Sequence, residues 1–227
     1  MKKVLPLLLL LLSYCLNAQT EEKSKSFPNE NSAYLTFDLT TIVSPFAPRY
    51  RLGYIQSINK NWRIGVDLGY GQENIIFNTS NSNSRMDNYS LFEIRSEIYH
   101  IFNPSKRLNH YISGELYYIY HEEDFYNTHY HLDARDEQVF FDEAHFIREK
   151  IGFNLKYGAM FPFGEKVGMN VYIGIGPRLK NITYKDVVNP SVQNDYDDHD
   201  WFSERRTEGS RFGVSTTLGV KFFYRIN

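Results

Sequence analysis

Apolar and polar residues alternate along most of the chain, with the period of two that is typical of β-strands facing two different environments. Turn residues separate eight such stretches. These stretches are residues 32–41, 49–58, 62–71, 89–102, 110–120, 147–161, 168–180 and 210–226. No stretch has the pattern of a convincing amphipathic helix. The alternation therefore predicts an all-β domain of eight strands.

The connections between these stretches alternate between short and long. Short turns are predicted around residues 59–61, 103–109 and 162–167, and long polar loops at residues 72–88, 121–146 and 181–209. Bacterial membrane barrels have short turns on the periplasmic side and longer loops outside the cell. The order therefore predicts an antiparallel up-and-down barrel with both ends on the periplasmic side.

Each stretch has one apolar and one polar face. In the fourth stretch Ile94 and Ile98 lie on one face, and Glu93, Arg95 and Glu97 lie on the other. Alternation alone does not show whether the apolar face points inward, as in a soluble ligand-binding barrel, or outward into lipid. Glycines on the polar face, aromatic residues near the strand ends and strands of about ten residues favour lipid. We therefore expect a transmembrane β-barrel.

The N-terminal residues have the pattern of a secretory signal peptide. Lys2 and Lys3 precede an apolar run at residues 4–12, and Ala18 is a small residue at a plausible cleavage point. A lipoprotein signal with Cys15 as the lipidated residue is the alternative, but Tyr14 stands where such signals have a small residue. We expect residues 1–18 to be the signal, 19–31 a polar leader, and 32–227 the outer-membrane barrel domain. The mature chain would then contain no cysteine and no disulfide.

Charge and composition narrow the possible partners. Of 25 basic residues two lie in the signal, which leaves 23 against 27 acidic residues. This balance argues against a nucleic-acid partner. A mean hydropathy of −0.47 together with 16% aromatic residues fits alternating strands better than disorder. The length fits a single β domain.

Several strand sequences resemble those of a known family. They are Tyr50-Arg-Leu-Gly-Tyr, Asn170-Val-Tyr-Ile-Gly-Ile-Gly-Pro-Arg and Gly213-Val-Ser-Thr-Thr-Leu-Gly-Val-Lys-Phe-Phe-Tyr. The pattern resembles small outer-membrane β-barrel domains of the OmpA/OmpX type over nearly the whole mature chain. The resemblance implies location in the outer membrane of a Gram-negative cell. We expect a monomer surrounded by outer-membrane lipids.

Charged residues of both signs lie on the predicted inner face of the barrel. Eight strands enclose only enough room for side chains, so we expect a structural plug of paired charges rather than an ion-selective pore. Both positive and negative side chains are expected there, because an unpaired charge in a dry interior is energetically costly. The predicted lumen network contains Asp38, Arg51, Asp67, Glu93, Arg95, Glu97, Glu115, Arg148, Lys156 and Arg178.

The long loops contain the other candidate residues. Acidic and histidine-containing clusters at residues 121–124, 129–131, 142–145 and 195–200 could bind a divalent cation, or form a hydrated acidic surface. No spacing matches a known metal loop, so we expect the hydrated surface and neither a metal nor another cofactor.

An enzymatic function was also considered. A lipid-modifying enzyme at the barrel rim is the alternative function, but a nucleophilic serine needs a base within reach, and the sequence has no His-x-Ser or Gly-x-Ser-x-Gly motif. We expect a non-enzymatic protein without catalytic residues, acting in envelope structure, adhesion or interaction. The three long loops would contact any extracellular partner.

Overall fold

The computed structural model describes residues 32–44, 47–73, 87–102, 104, 108–132, 137–194 and 206–226. The predicted signal (1–18), leader (19–31) and most of the loop at 72–88 lie outside these ranges. Within them the chain forms nine β-strands: β1 (Ala33–Asp38), β2 (Tyr50–Ser57), β3 (Trp62–Gln72), β4 (Asp87–Ile101), β5 (Asn109–Leu132), β6 (Glu137–Pro162), β7 (Val167–Val188), β8 (Ser191–Asn194) and β9 (Thr207–Arg225). No helix among these described residues is long and apolar enough to cross a membrane.

Eight of the described strands form a closed ring. From β1 to β7 each strand pairs antiparallel with the next, and β9 pairs antiparallel with both β7 and β1. The closing pair runs in register from Tyr34↔Arg225 to Asp38↔Lys221. The short β8 lies outside the ring and pairs with β6. The predicted fold, an all-β, eight-stranded antiparallel up-and-down barrel, is confirmed.

The apolar face of this barrel points outward. Aliphatic side chains on every strand of the ring are at least 40% exposed, up to 71% for Leu218. The inward side chains are mainly charged, hydroxyl-bearing or aromatic. A soluble ligand-binding barrel has the opposite arrangement, with apolar residues inside. The outward band includes Leu35, Leu52, Ile64, Leu68, Ile94, Ile98, Ile112, Leu116, Ile151, Leu155, Ile173, Ile175, Val214 and Leu218.

Aromatic rings inside the barrel lie over glycines directly opposite them on the neighbouring strand. Tyr111 faces Gly158, and Tyr172 faces Gly219. A methyl group added at either glycine would overlap the ring opposite. The same arrangement joins Tyr117 with Gly152 and Phe223 with Gly168. Glycine on one strand thus makes room for a large ring from the next, and the pairs fill a narrow lumen.

The structure differs from the prediction in the loops at 121–146 and 181–209. Most of these residues continue the strands: β5 and β6 stay paired as far as Leu132↔Glu137, and β7 runs on to Val188. The far end of β5 also pairs in parallel with the start of β9, at His131↔Thr207. Four strands therefore form a second, smaller ring beyond the barrel. We call residues 121–132, 137–147, 181–194 and 206–210 the extension.

The extension has an apolar core, whereas the barrel lumen is polar. Its buried cluster contains Tyr130, Val139, Phe141, Ala144, Phe146, Ile182 and Tyr184. On β5 the inward residues are odd-numbered through His121, but Tyr130 also points inward. Asn127 lies between these segments with a positive φ of 48°, a backbone conformation that asparagine tolerates better than most residues. We attribute the change of face to this residue.

We predict that Gly158→Val destabilises the barrel, because the added side chain overlaps the Tyr111 ring. Overpacking of this kind typically costs about 1–3 kcal/mol. The control is Gly164→Val in the turn between β6 and β7, where an added Cβ meets nothing within 4 Å. Equilibrium unfolding by urea in detergent measures both variants. Equal stability of the two variants would contradict the proposed packing role of the glycine.

Candidate functional site: the charged lumen

The centre of the lumen contains a network of buried ion pairs. Among the described residues it joins five carboxylates to five bases. The carboxylates are Asp38, Asp67, Glu93, Glu97 and Glu115, and the bases are Arg49, Arg51, Arg95, Lys156 and Lys221. All ten side chains are at most 9% exposed. Equal numbers of opposite charges suit an interior in which an unpaired charge would be costly.

Glu93 is the most connected carboxylate of the network. It accepts hydrogen bonds from Arg49, from Arg51 at 3.0 Å and from Arg95. Arg51, Gly69 and Glu93 occupy one row across β2, β3 and β4. A Cβ at position 69 would collide with the Glu93 carboxylate. Because this row has glycine on its middle strand, Glu93 can reach across β3 to a base on β2.

Arg51 holds Asp38, and two lysines hold the other three carboxylates. Lys156 donates at 2.7 Å to both Glu97 and Glu115, and Lys221 donates to Asp67. Asp67, Glu97 and Glu115 lie close enough together to coordinate a metal ion. The two ammonium groups already provide positive charge to this cluster, so its geometry is explained by ion pairing.

The structure places the ten sequence-predicted lumen residues in two groups. Eight of them belong to the ion-pair network. Arg148 lies nearer the extension, with its guanidinium over the Phe146 ring, and Arg178 is half-buried beside a cavity. Of the other two bases of the network, Lys221 lies on the face of β9 that the alternation predicts to point inward. Arg49 was not predicted, although it is two residues before Arg51 and alternation indicates it.

A cavity of about 300 Å³ lies on the loop side of this network. Its lining contains the bases Arg49, Arg51, Arg95, Lys150 and Arg178, and no carboxylate among the described residues. Hydroxyl groups come from Thr40, Thr41 and Ser44 after β1, and from Ser215 and Thr217 on β9. We call this cavity the upper chamber.

An aromatic layer begins the core of the extension. The His121 ring lies between Tyr89 and Phe146, with ring centroids 5.0 and 5.5 Å away. Burial, together with the cations Arg148 and Lys150, lowers the pKa of His121 well below its usual value. The imidazole is therefore neutral at physiological pH.

Glu123 is an unusual carboxyl group in the extension. It lies beyond the outward apolar band with 12% of its side chain exposed, and its Oε1 lies 3.6 Å from Nε2 of His121. Burial raises the pKa of Glu123 to about 7, although Arg148 and Arg206 act in the opposite direction. Because His121 is neutral, this contact does not neutralise a Glu123 carboxylate.

The structure brings together two of the acidic and histidine clusters that the sequence offers as cation sites, those at residues 121–124 and 142–145. On the outer side of the extension, Asp124 lies 2.7 Å from Nδ1 of His145, and Nε2 of His145 is 3.9 Å from Glu122. Asn88 and His145 lower the pKa of Asp124 although partial burial opposes them. His129 packs against Phe140 and His131. The cluster at 195–200 lies outside the described residues.

The fold and the lumen define a class of protein, the small antiparallel β-barrel with an apolar exterior and a polar interior. Comparison with solved structures finds similarity to the N-terminal β-barrel domain of Pseudomonas aeruginosa OprF, at 11% sequence identity. The match covers 87% of this chain and 98% of that domain, with a TM-score of 0.37. No protein-family model and no curated protein matches the chain.

We predict that Arg95→Ala destabilises the barrel, since Glu93 and Glu115 would each lose a buried partner. Breaking a buried pair typically costs about 3–5 kcal/mol. Arg95→Met retains most of the side-chain volume. A similar decrease in the free energy of unfolding of that variant would show that the missing charge, and not the missing volume, destabilises the barrel. Urea unfolding in detergent provides the measurement. If the free energy of unfolding decreases by no more than about 1 kcal/mol in either variant, the network does not stabilise the barrel.

The raised pKa of Glu123 predicts that the extension becomes less stable as pH increases. Below the unfolded-state pKa of about 4.5 the carboxyl is protonated in both states and burial has no electrostatic cost. The cost grows above that pH and is complete above the folded-state pKa of about 7. Hydrogen exchange of β5 amides in the extension, corrected for intrinsic rates, should be faster at pH 8 than at pH 5.

Glu123→Gln should remove this pH dependence and slow exchange at pH 8. The control is Glu143→Gln, which neutralises an exposed carboxylate on the paired strand. An unchanged pH dependence in Glu123→Gln would show that another group controls the extension.

Proposed function

We propose that the protein is a non-enzymatic outer-membrane β-barrel whose extension projects outside the cell for interaction with a partner. The observation that carries this proposal is the apolar band that surrounds the closed ring. Monomeric soluble proteins rarely expose contiguous apolar patches larger than a few hundred Å². A band of exposed aliphatic side chains on all eight strands is best explained by a lipid environment.

Two further features support the membrane location. Aromatic side chains with polar groups border the band: Trp62 and Tyr224 lie near the short turns, and Tyr70 lies near the opposite end of β3. Such residues favour the membrane–water interface. The closed ring also pairs the backbone groups of its strands, and lipid would offer these groups no other partner.

The filled lumen argues for a structural or binding role rather than transport. The paired charges and the aromatic rings occupy the interior of the barrel at the level of the band. The extension forms the most developed surface on the loop side, with an apolar core and acidic residues such as Asp142 and Glu143 outside. We assign it the interaction role that the sequence suggested for the long loops.

The alternative, a lipid-modifying enzyme, receives no specific support from His121 or His145. Both ring nitrogens of His145 face carboxylates, and His121 is enclosed by aromatic rings. A catalytic base would instead direct one nitrogen at a nucleophile.

The membrane proposal is tested by extraction and gel migration. The protein should require detergent for release from the envelope, and unheated samples should migrate differently from boiled ones because the barrel stays closed until heated. Release into buffer without detergent, with identical migration before and after boiling, would exclude a membrane barrel.

Ile94→Arg gives a residue-level test, because it places a charge in the outward band. The cost is about 2–4 kcal/mol for Arg near the bilayer midplane. Folding yield into lipid vesicles should therefore decrease, while thermal melting in detergent changes less. The matched control is Ile94→Met, which retains an apolar side chain. Equal folding yields of both variants in lipid vesicles would contradict the conclusion that the face with Ile94 contacts lipid.

A further inference from the structure

The upper chamber has a distribution of charge that the ion-pair network does not require. The five bases of the network are matched by five carboxylates, whereas Lys150 and Arg178 add two cations to the chamber wall. Arg148 on β6 is two residues from Lys150, and Lys180 on β7 is two residues from Arg178. Among the described residues, positive charge is therefore in excess around the chamber.

The geometry of the strands explains how these cations converge. Lys150 is directly opposite Lys180, and Arg178 is opposite Gly152 on the same pair of strands. All of these positions lie on the inner face of the ring. An anion between Lys150 and Arg178 would be attracted by both side chains.

The remaining lining groups suit an oxyanion. Hydroxyl groups of Ser44 and Ser215 lie around the same space as the guanidinium of Arg178. Arginine and lysine together with hydroxyl donors are the usual protein ligands of phosphate oxygens. The volume of about 300 Å³ matches the smaller known ligand pockets. Lys150 and Arg178 are only half-buried, so solvent reaches the chamber.

We infer that the upper chamber binds a phosphate or phosphomonoester group, with Lys150 and Arg178 as its principal charged ligands. Arg51 and Arg95 form the inner wall of the chamber, where they also hold the carboxylates of the network. Because this network fills the lumen beyond the chamber, the chamber is a binding site and not the entrance to a pore. The phosphate can belong to a free solute or to a lipid headgroup.

The experiment is titration calorimetry with inorganic phosphate, using the full-length protein in neutral maltoside micelles at fixed ionic strength. The wild-type protein should bind phosphate saturably at one site. Lys150→Gln and Arg178→Gln should each weaken binding by about tenfold or more, because each removes a charge-assisted contact. Lys166→Gln is the matched control, since it removes an exposed lysine from the turn at the other end of the barrel and should leave binding unchanged.

Each variant is first checked for the difference in migration between unheated and boiled samples, so that loss of binding is not loss of folding. Absence of saturable phosphate binding by the wild-type protein would overturn the inference. Equal affinity in folded Lys150→Gln and Arg178→Gln would overturn it as well.

A second arm identifies the source of the phosphate. Micelles doped with phosphatidic acid should compete with inorganic phosphate if the natural ligand is a lipid headgroup, and micelles doped with phosphatidylcholine should not. Phosphate binding without such competition assigns the chamber to a free phosphate or phosphomonoester. Migration in the gel does not depend on the chamber, so this test and the membrane test can fail independently.

Discussion

Closure of the sheet between β1 and β9 is the constraint on which the rest of the structure depends. A ring of eight strands encloses a narrow interior, and every second residue of every strand must share it. The interior can hold large side chains only where a neighbouring strand provides glycine, as Gly158 does for Tyr111. It can hold charges only where they are paired, as Glu93 is with three arginines. The glycines, rings and ion pairs are consequences of one geometry.

The strands of the barrel could be predicted from the sequence because a period of two is a strong signal when the two faces differ. Lipid-facing Ile94 beside the charged Glu93 and Arg95 makes the alternation clear. The partners in the lumen could not be predicted in the same way. Arg51 and Glu93 lie on strands that are not neighbours, and their contact depends on Gly69 between them and on the register of three strands. Alternation specifies a face, whereas register specifies a partner.

The extension was predicted as loops for a physical reason. Its strands face a small apolar core on one side and water on the other, and their outer residues include many acids and histidines. The change of face near Asn127 also interrupts the alternation within β5. A window that spans this position therefore shows no consistent period. The same sheet surrounds a polar interior in the barrel and an apolar interior in the extension.

The long β5–β6 hairpin also determines the order in which the structure can form. Its pairs extend from Leu132↔Glu137, which are close in sequence, to Asn109↔Met160. The pair Tyr34↔Arg225 joins opposite ends of the described chain. Contacts between distant residues carry a larger entropic cost of loop closure and slow folding. The hairpin can thus form early and act as a template for neighbouring strands, while joining β1 to β9 completes folding. Until that last step, the two unpaired edges of the sheet make the chain vulnerable to association with other chains.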